Sequence, residues 1–316
     1  MRAALLRPFA RHHGPAWALV LASAFWGMGF SWAKNAGEAV SHAADRPSDA
    51  TVGPVTVLAI RFTVAALLWL TLVRSVRTNW SWRTLRNGLS VGGMLCLGLI
   101  LQHIGLGSSD EAVIAFLTNL TVVFVPAYVV LATRRGPKMG VMVAVPVALL
   151  GMGLLLGVGG PVPSAGAGWG VACAAAFAAA LLLLDRLGRG ESPAKMAMLL
   201  YASAAVTCWI AAPLLPGFGD IRWRTLWRTD VVTDIALLTT LTTLGAFSLM
   251  TTFQPKMDPT RAAVIYLCEP LFAALFAWGY NGRSMTGTAL TGAALILSAN
   301  VIAEWRPRRV LFLTGR

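Results

Sequence analysis

The chain has 316 residues, 57% of them hydrophobic and 12% charged, with a mean hydropathy of +0.68. That leaves too little polar material to cover a soluble core of this size, so composition excludes a soluble globular domain and points to an integral membrane protein. The net charge of +13 would suit nucleic acid in a soluble domain, but the basic residues are dispersed between apolar runs and serve as topology signals, so no nucleic-acid partner is expected.

In chain order, apolar stretches of about 17–25 residues, the length that crosses about 30 Å of hydrocarbon, fit ten times. They are 16–34, 54–73, 88–106, 112–132, 139–158, 167–185, 195–215, 231–253, 261–279 and 286–303. The first follows Arg2, Arg7 and Arg11 as a signal peptide would, but it is long, lacks a cleavage site and contains Trp26 and Lys34, so it is expected to be a retained span. Arg135-Gly136-Pro137 and Asn281-Gly282-Arg283 separate spans four from five and nine from ten as tight antiparallel turns. Nothing is left over for a soluble domain, and there is no GxxxxGK[ST] loop for nucleotide chemistry. Cys96, Cys173, Cys208 and Cys268 all fall inside apolar runs with no CxxC or Cys/His spacing, which argues against disulfides and a metal site.

Lys and Arg set the orientation. With a cytoplasmic N-terminus the inner side holds 19 of them and the outer loops 5, so both termini are expected in the cytoplasm of a cell with this protein in its inner (plasma) membrane. Three of the five exceptions cluster in Arg222-Trp223-Arg224-Thr225-Leu226-Trp227-Arg228. Its WRTL also occurs at Trp82-Arg83-Thr84-Leu85 in an inner loop.

A longer self-match explains the violation. Leu101 to Pro126 overlays Leu249 to Ala274 without a gap at an offset of 148, pairing Asp110 with Asp258, Ala115 with Ala263, Thr121 with Glu269 and Phe124 with Phe272. Halves of five spans, an odd number, insert in opposite senses and place the two WRTL copies on opposite sides. The expected fold is therefore all-α integral membrane, ten transmembrane helices as two inverted five-helix repeats, residues 1–160 and 161–316. Inverted repeats of this kind are a recurrent transporter architecture with the solute site at the midplane.

Phe25-Trp26-Gly27 with Phe30 and Lys34, Arg61-Phe62 before Ala65-Ala66-Leu67-Leu68, Gln102 with Gly105-Leu106, Ala115 to Leu120 and Tyr266-Leu267 with Glu269-Pro270 occur in order along the chain. Together they resemble the EamA-type carriers of the drug/metabolite transporter superfamily over nearly the whole length. The resemblance implies a ten-helix bundle that exports amino acids, other metabolites or drugs through a central cavity. Span eight departs from it, with Phe247-Ser248-Leu249-Met250-Thr251-Thr252-Phe253 where the family often has a Tyr- and Trp-rich stretch.

The cavity candidates are Trp26, Arg61, Gln102, His103, Asn119, Tyr266 and Glu269. Glu269 is the one carboxylate expected near the midplane, where a charge costs about 2.5–3.5 kcal/mol on insertion scales. It is either a proton or amine site or, the preferred alternative, a clasp for backbone groups released by Pro270. Arg61 lies about 10 Å into span two and either snorkels or meets a solute carboxylate. Gln102 and His103 face Met250 and Thr251 in the other repeat, mismatches that suit ligand choice, with His103 as packing the plainer alternative. Asn119 is either helix glue or cavity lining, and Trp26 either packs on Gly27 or walls an apolar ligand.

The chain is thus expected to be a non-enzymatic secondary transporter without cofactor or metal, moving a small organic solute across the lipid bilayer by alternating access. Glu269 permits proton coupling without requiring it, and nothing in the sequence sets an oligomeric state. A nucleotide-sugar or phosphorylated-metabolite carrier would need more cations than Arg61 and Lys34. A membrane-embedded enzyme would need clustered carboxylates or histidines, whereas His12, His13, His42 and His103 are dispersed and no HExxH is present.

Overall fold

The computed structural model describes residues 2–48, 50–106, 111–134, 139–157, 167–281 and 286–304. Among these there is no strand. The helices are α1 (Arg2–Ala43), α2 (Val52–Leu72), α3 (Trp82–Leu106), α4 (Glu111–Thr118), α5 (Thr121–Thr133), α6 (Met139–Leu156), α7 (Ala167–Leu187), α8 (Pro193–Ala211), α9 (Thr229–Leu237), α10 (Ala246–Phe253), α11 (Pro259–Tyr266), α12 (Cys268–Asn281) and α13 (Gly287–Glu304). The two expected hairpin turns, apart from Asn281, and the Asp110 corner lie outside the described residues.

Seven helical segments are long and apolar enough to cross a membrane: Gly14–Ala43, Val52–Leu72, Trp82–Gln102, Ala167–Leu187, Pro193–Leu214, Thr229–Lys256 and Pro259–Phe276. Three shorter apolar helices, Phe116–Ala132, Met139–Leu155 and Gly287–Ala303, fall on the remaining expected spans. Large apolar side chains such as Leu67, Leu150 and Val206 face outward within the helices, while Trp17, Trp82 and Trp227 are exposed near the ends of the apolar spans, the distribution that lipid selects.

Turns at the end where α1 begins (the near end) join α2 to α3, α7 to α8 and α10 to α11; those at the far end join α1 to α2 and α8 to α9. Helix α1 runs nine residues past the expected limit of its span, to Ala43, because Ala36, Val40 and Ala43 keep an apolar face that is buried. Lys34 therefore sits on a helical face, where it pairs with Glu38 at 3.9 Å.

Three expected rods are interrupted. Pro270, in the first turn of α12, has no N–H and its ring would clash with the carbonyl four residues back, at Tyr266, and the helix breaks at Leu267. At the equivalent place in the first half, 148 residues earlier, α4 ends at Thr118 and α5 starts at Thr121; there the Thr121 hydroxyl donates to the Thr118 carbonyl at 2.7 Å. Between α9 and α10, Leu238–Gly245 is wound as a π-helix, a form found mostly as short insertions at functional places.

Packing follows a pattern of exchange. α6 lies along α13 and α2 along α8; α1 packs on α9 and α10 and on α11 and α12, while α7 packs on α3 and on α4 and α5. Gly151 and Gly292 let α6 and α13 meet backbone to backbone, since a Cβ on Gly292 would fall 2.3 Å from the Gly151 carbonyl. Gly53 does the same for α1 and α2, its missing Cβ lying 2.0 Å from the Gly37 carbonyl. Gly53→Ala should therefore lower the thermal unfolding temperature in detergent, by an overpacking cost of about 1–3 kcal/mol, whereas Gly93→Ala, with nothing within 4 Å, should leave it unchanged.

Candidate functional site

Two of the three interrupted rods, α9–α10 and α11–α12, meet near the middle of α1. The π-helical winding releases carbonyls, and Trp26 donates its indole N–H to that of Thr242 at 3.1 Å. On the other side of the same segment the fully buried Tyr201 of α8 places its hydroxyl 3.3 Å from the Thr243 carbonyl and 3.1 Å from the Ser248 hydroxyl. Anchored this way, the Trp26 ring meets Phe247 edge-on at 5.2 Å and Tyr266 at 5.4 Å, and Phe247 reaches Phe62 at 5.9 Å. Aromatic contacts of this geometry add about 0.5–1.5 kcal/mol each beyond burial.

Tyr266 is the last residue before the second helix break. Its hydroxyl donates to Gln254 Oε1 at 3.0 Å, and Gln254 Nε2 donates to the Leu181 carbonyl at 2.9 Å. Gln254 is 0% exposed, so this relay ties α11, the end of α10 and α7 through groups that have no water to replace their partners. Tyr266 also packs against three of the four hydrophobic clusters, those of α2/α3/α8, of α5/α6/α7/α13 and of Leu19 with Ala262.

Glu269 stands one turn further on, half-buried. Gly27 admits it: a Cβ there would fall 2.7 Å from the Glu269 carbonyl oxygen. Its carboxylate accepts no hydrogen bond and forms no ion pair among the described residues, and it interacts electrostatically with the Tyr266 phenol. The expected backbone clasp at Pro270 is thus not drawn in this arrangement. Arg61 is nearly central in α2, nine residues from Val52, or about 14 Å at 1.5 Å per residue, deeper than the expected depth of about 10 Å. Its Nε is buried without a hydrogen-bond partner, its guanidinium carbon lies 5.0 Å from the Phe62 ring centroid, and Cys208 of α8 is its electrostatic neighbour.

Of the sequence candidates, Trp26, Tyr266 and Glu269 come together, with Arg61 next to the Phe62 end of the aromatic row. Gln102, half-buried late in α3, and Asn119, half-buried at the first break, belong to the α3/α4 side, where Thr118 Oγ1 approaches Cys173 Sγ at 3.7 Å. The His103 side chain lies outside the described residues. Sequence reasoning missed Gln254 and Tyr201 and did not place Phe247 in the site. Gln254 reads as part of a polar turn before Pro255, and Tyr201 as one more apolar residue in span seven. Among the described residues no group of His, Cys, Asp or Glu is arranged to hold a metal ion.

Residues 164–303 match the model of the EamA-like transporter family. Over those residues, which make up most of its second half, the chain is similar to that family. Together with the seven helical segments long and apolar enough to cross a membrane, the similarity is to multi-pass membrane transporters. One solved structure, described only as a crystal structure of a protein, superposes with a TM-score of 0.72 at 16% identity, covering 94% of this chain and 100% of its own, and so shares the fold. Comparison with curated proteins finds no match.

In the EamA-like half the Gln254 relay is open to a direct check. Gln254→Leu leaves the Tyr266 hydroxyl buried without its acceptor, at about 1–3 kcal/mol, and removes the side-chain bridge to the Leu181 carbonyl of α7. The variant should unfold at a clearly lower temperature in detergent, and an unchanged temperature would remove the relay from the account of the site.

Proposed function

We propose that the chain is a secondary carrier that exports small organic metabolites, such as amino acids or drug-like compounds, by alternating access around a midplane site. The observation that carries this is the pair of charges left unspent inside the bundle, Arg61 and Glu269, on either side of the aromatic row from Phe62 to Tyr266. An isolated charge at this depth is costly and is retained for a partner it meets in the course of work.

The architecture behind the proposal is ten crossings in two inverted halves, 1–160 and 161–316. Three observations support it. Helix breaks fall at positions 148 apart, α1 and α7 exchange partners between the halves, and the two WRTL copies lie at opposite ends of the bundle. The Lys and Arg bias supports a near end and both termini in the cytoplasm of an inner-membrane protein. A phosphorylated or nucleotide-linked substrate is disfavoured, since Lys34 is committed to Glu38 and Arg61 is left as the single cation of the group.

Counterflow of a mixed amino-acid and metabolite panel in proteoliposomes, with and without a pH gradient, tests the proposal; no solute-dependent exchange by folded protein would reject it. Glu269→Gln should lower counterflow at least about ten-fold, the loss of roughly 1.5–3 kcal/mol expected for a hydrogen bond to a charged group, without lowering the unfolding temperature. A lowered unfolding temperature with transport per folded molecule intact would return Glu269 to a backbone role. Loss of pH-gradient dependence in the same variant would make it the proton site.

A further inference from the structure

Both ends of the bundle are tied across the two halves of the chain, by chemically different contacts. At the near end Glu191, in the turn between α7 and α8, accepts from the Thr84 hydroxyl at 2.7 Å and from the Asn87 amide at 2.9 Å, both at the start of α3. Arg83 Nε stands 3.4 Å from the same carboxylate. The Glu191 side chain is 8% exposed, and Thr84 and Asn87 are buried. The same two turns are joined again where Trp69 donates to the Ala194 carbonyl at 2.8 Å and Lys195 lies over the Trp80 ring at 5.4 Å.

At the far end Arg222, in the turn between α8 and α9, donates to Asp45 Oδ1 and to the His42 carbonyl, both at 3.1 Å. Its backbone N–H donates to the Ala43 carbonyl at 3.0 Å, and Arg46 stands 4.0 Å from Asp220. The near tie joins the α2–α3 and α7–α8 turns; the far tie joins the α1–α2 and α8–α9 turns. Exchanging the two halves converts one pairing into the other.

We propose that these ties are the two gates of the carrier, with Glu191 the latch of the near mouth and Arg222–Asp45 its far counterpart. This rests on the alternating-access proposal above. The two differ in strength for a physical reason. Asp45 and Arg222 are 75% and 65% exposed, and pairs held in water are weak. Glu191 has given up its water for two donors and the nearby Arg83 guanidinium, so losing them leaves a dehydrated carboxylate. The near gate is accordingly the firmer one and biases the carrier towards a closed near mouth. It is still built to open. Asn87 spends its amide N–H on Glu191 while its own Oδ1 is buried without a partner, a cost that opening removes. Beside Glu191 an open cleft of about 270 Å³ runs between the α7–α8 turn and the end of α10, lined by Gly188, Thr251 and Pro255.

Spin labels on exposed turn positions read the gates directly: Thr78→Cys with Arg186→Cys across the near mouth, and Ser48→Cys with Arg224→Cys across the far one. The four native cysteines are buried and leave the labels specific. In the full chain in lipid nanodiscs, Glu191→Ala should add a near-end population longer by on the order of 5 Å and tighten the far-end distribution; Arg222→Ala should widen the far end instead. Should Glu191→Ala fail to fold, Thr84→Ala with Asn87→Ala removes the same contacts from the other side. Unchanged near-end distances in a folded latch variant would overturn the proposal even if counterflow proceeds. Widening in a protein that shows no counterflow would uphold the latch and reject the carrier reading.

Discussion

Inside a bilayer-length helix, a backbone group that loses its intrahelical partner has no water to turn to, and the partner it is given fixes what surrounds it. Each interruption in this bundle illustrates the constraint. The carbonyls loosened by the π-helical Leu238–Gly245 are taken by the Trp26 indole and approached by the Tyr201 hydroxyl. The Thr118 carbonyl is taken by Thr121. Near the second break Ser23, whose hydroxyl donates to Leu19, also stands within 3.5 Å of the Ile265 carbonyl. Trp26 faces Phe247 and Tyr266 because its N–H is committed to Thr242, so the aromatic row is a by-product of satisfying the backbone.

The distribution of charge follows a second division, between ends and middle. At the ends, charges and amides are spent on one another: Glu191 with Thr84 and Asn87, Arg222 with Asp45. In the middle, Arg61 and Glu269 form no ion pair with each other or with any other described residue. If stability alone were at stake, the middle would be the place to pair charges, because an uncompensated charge is most expensive there. On the carrier proposal, the inverse arrangement leaves the ends tied and the middle to the solute.

How much of this was legible in the sequence depends on the kind of signal. Long apolar runs mark helices by mass and length, and described helical segments fall on every expected span. Trp26, Tyr266 and Glu269 stand out as polar or aromatic groups at unexpected depth, and they do meet. The interruptions were less visible. Pro270 announces a break, yet the break falls three residues earlier because the clash is with the carbonyl four residues back, and the threonine pairs of Leu238–Gly245 read as ordinary helix. Gln254 and Glu191 were invisible for a simpler reason: each sits in a polar turn, where a glutamine or a glutamate is unremarkable until the partner across the bundle is known.

The two breaks 148 residues apart are the clearest place to separate frame from function. On the repeat proposal they are the same element written twice, and both keep the interruption between a short and a longer helix. They differ in the first residue of their second turn of argument with the backbone: Thr121 uses its hydroxyl to close the gap locally, whereas Glu269, at the matching position, leaves its carboxylate unbonded beside Tyr266 and against Gly27. A break closed by its own side chain needs nothing further from its surroundings. A break that ends in an unbonded carboxylate, reached by an aromatic row and facing the half of the bundle that carries Arg61, has a valence left over. On the carrier proposal both halves share the scaffold, the second break adds the unbonded carboxylate, and Trp26, Arg61 and Phe62 come from the first half.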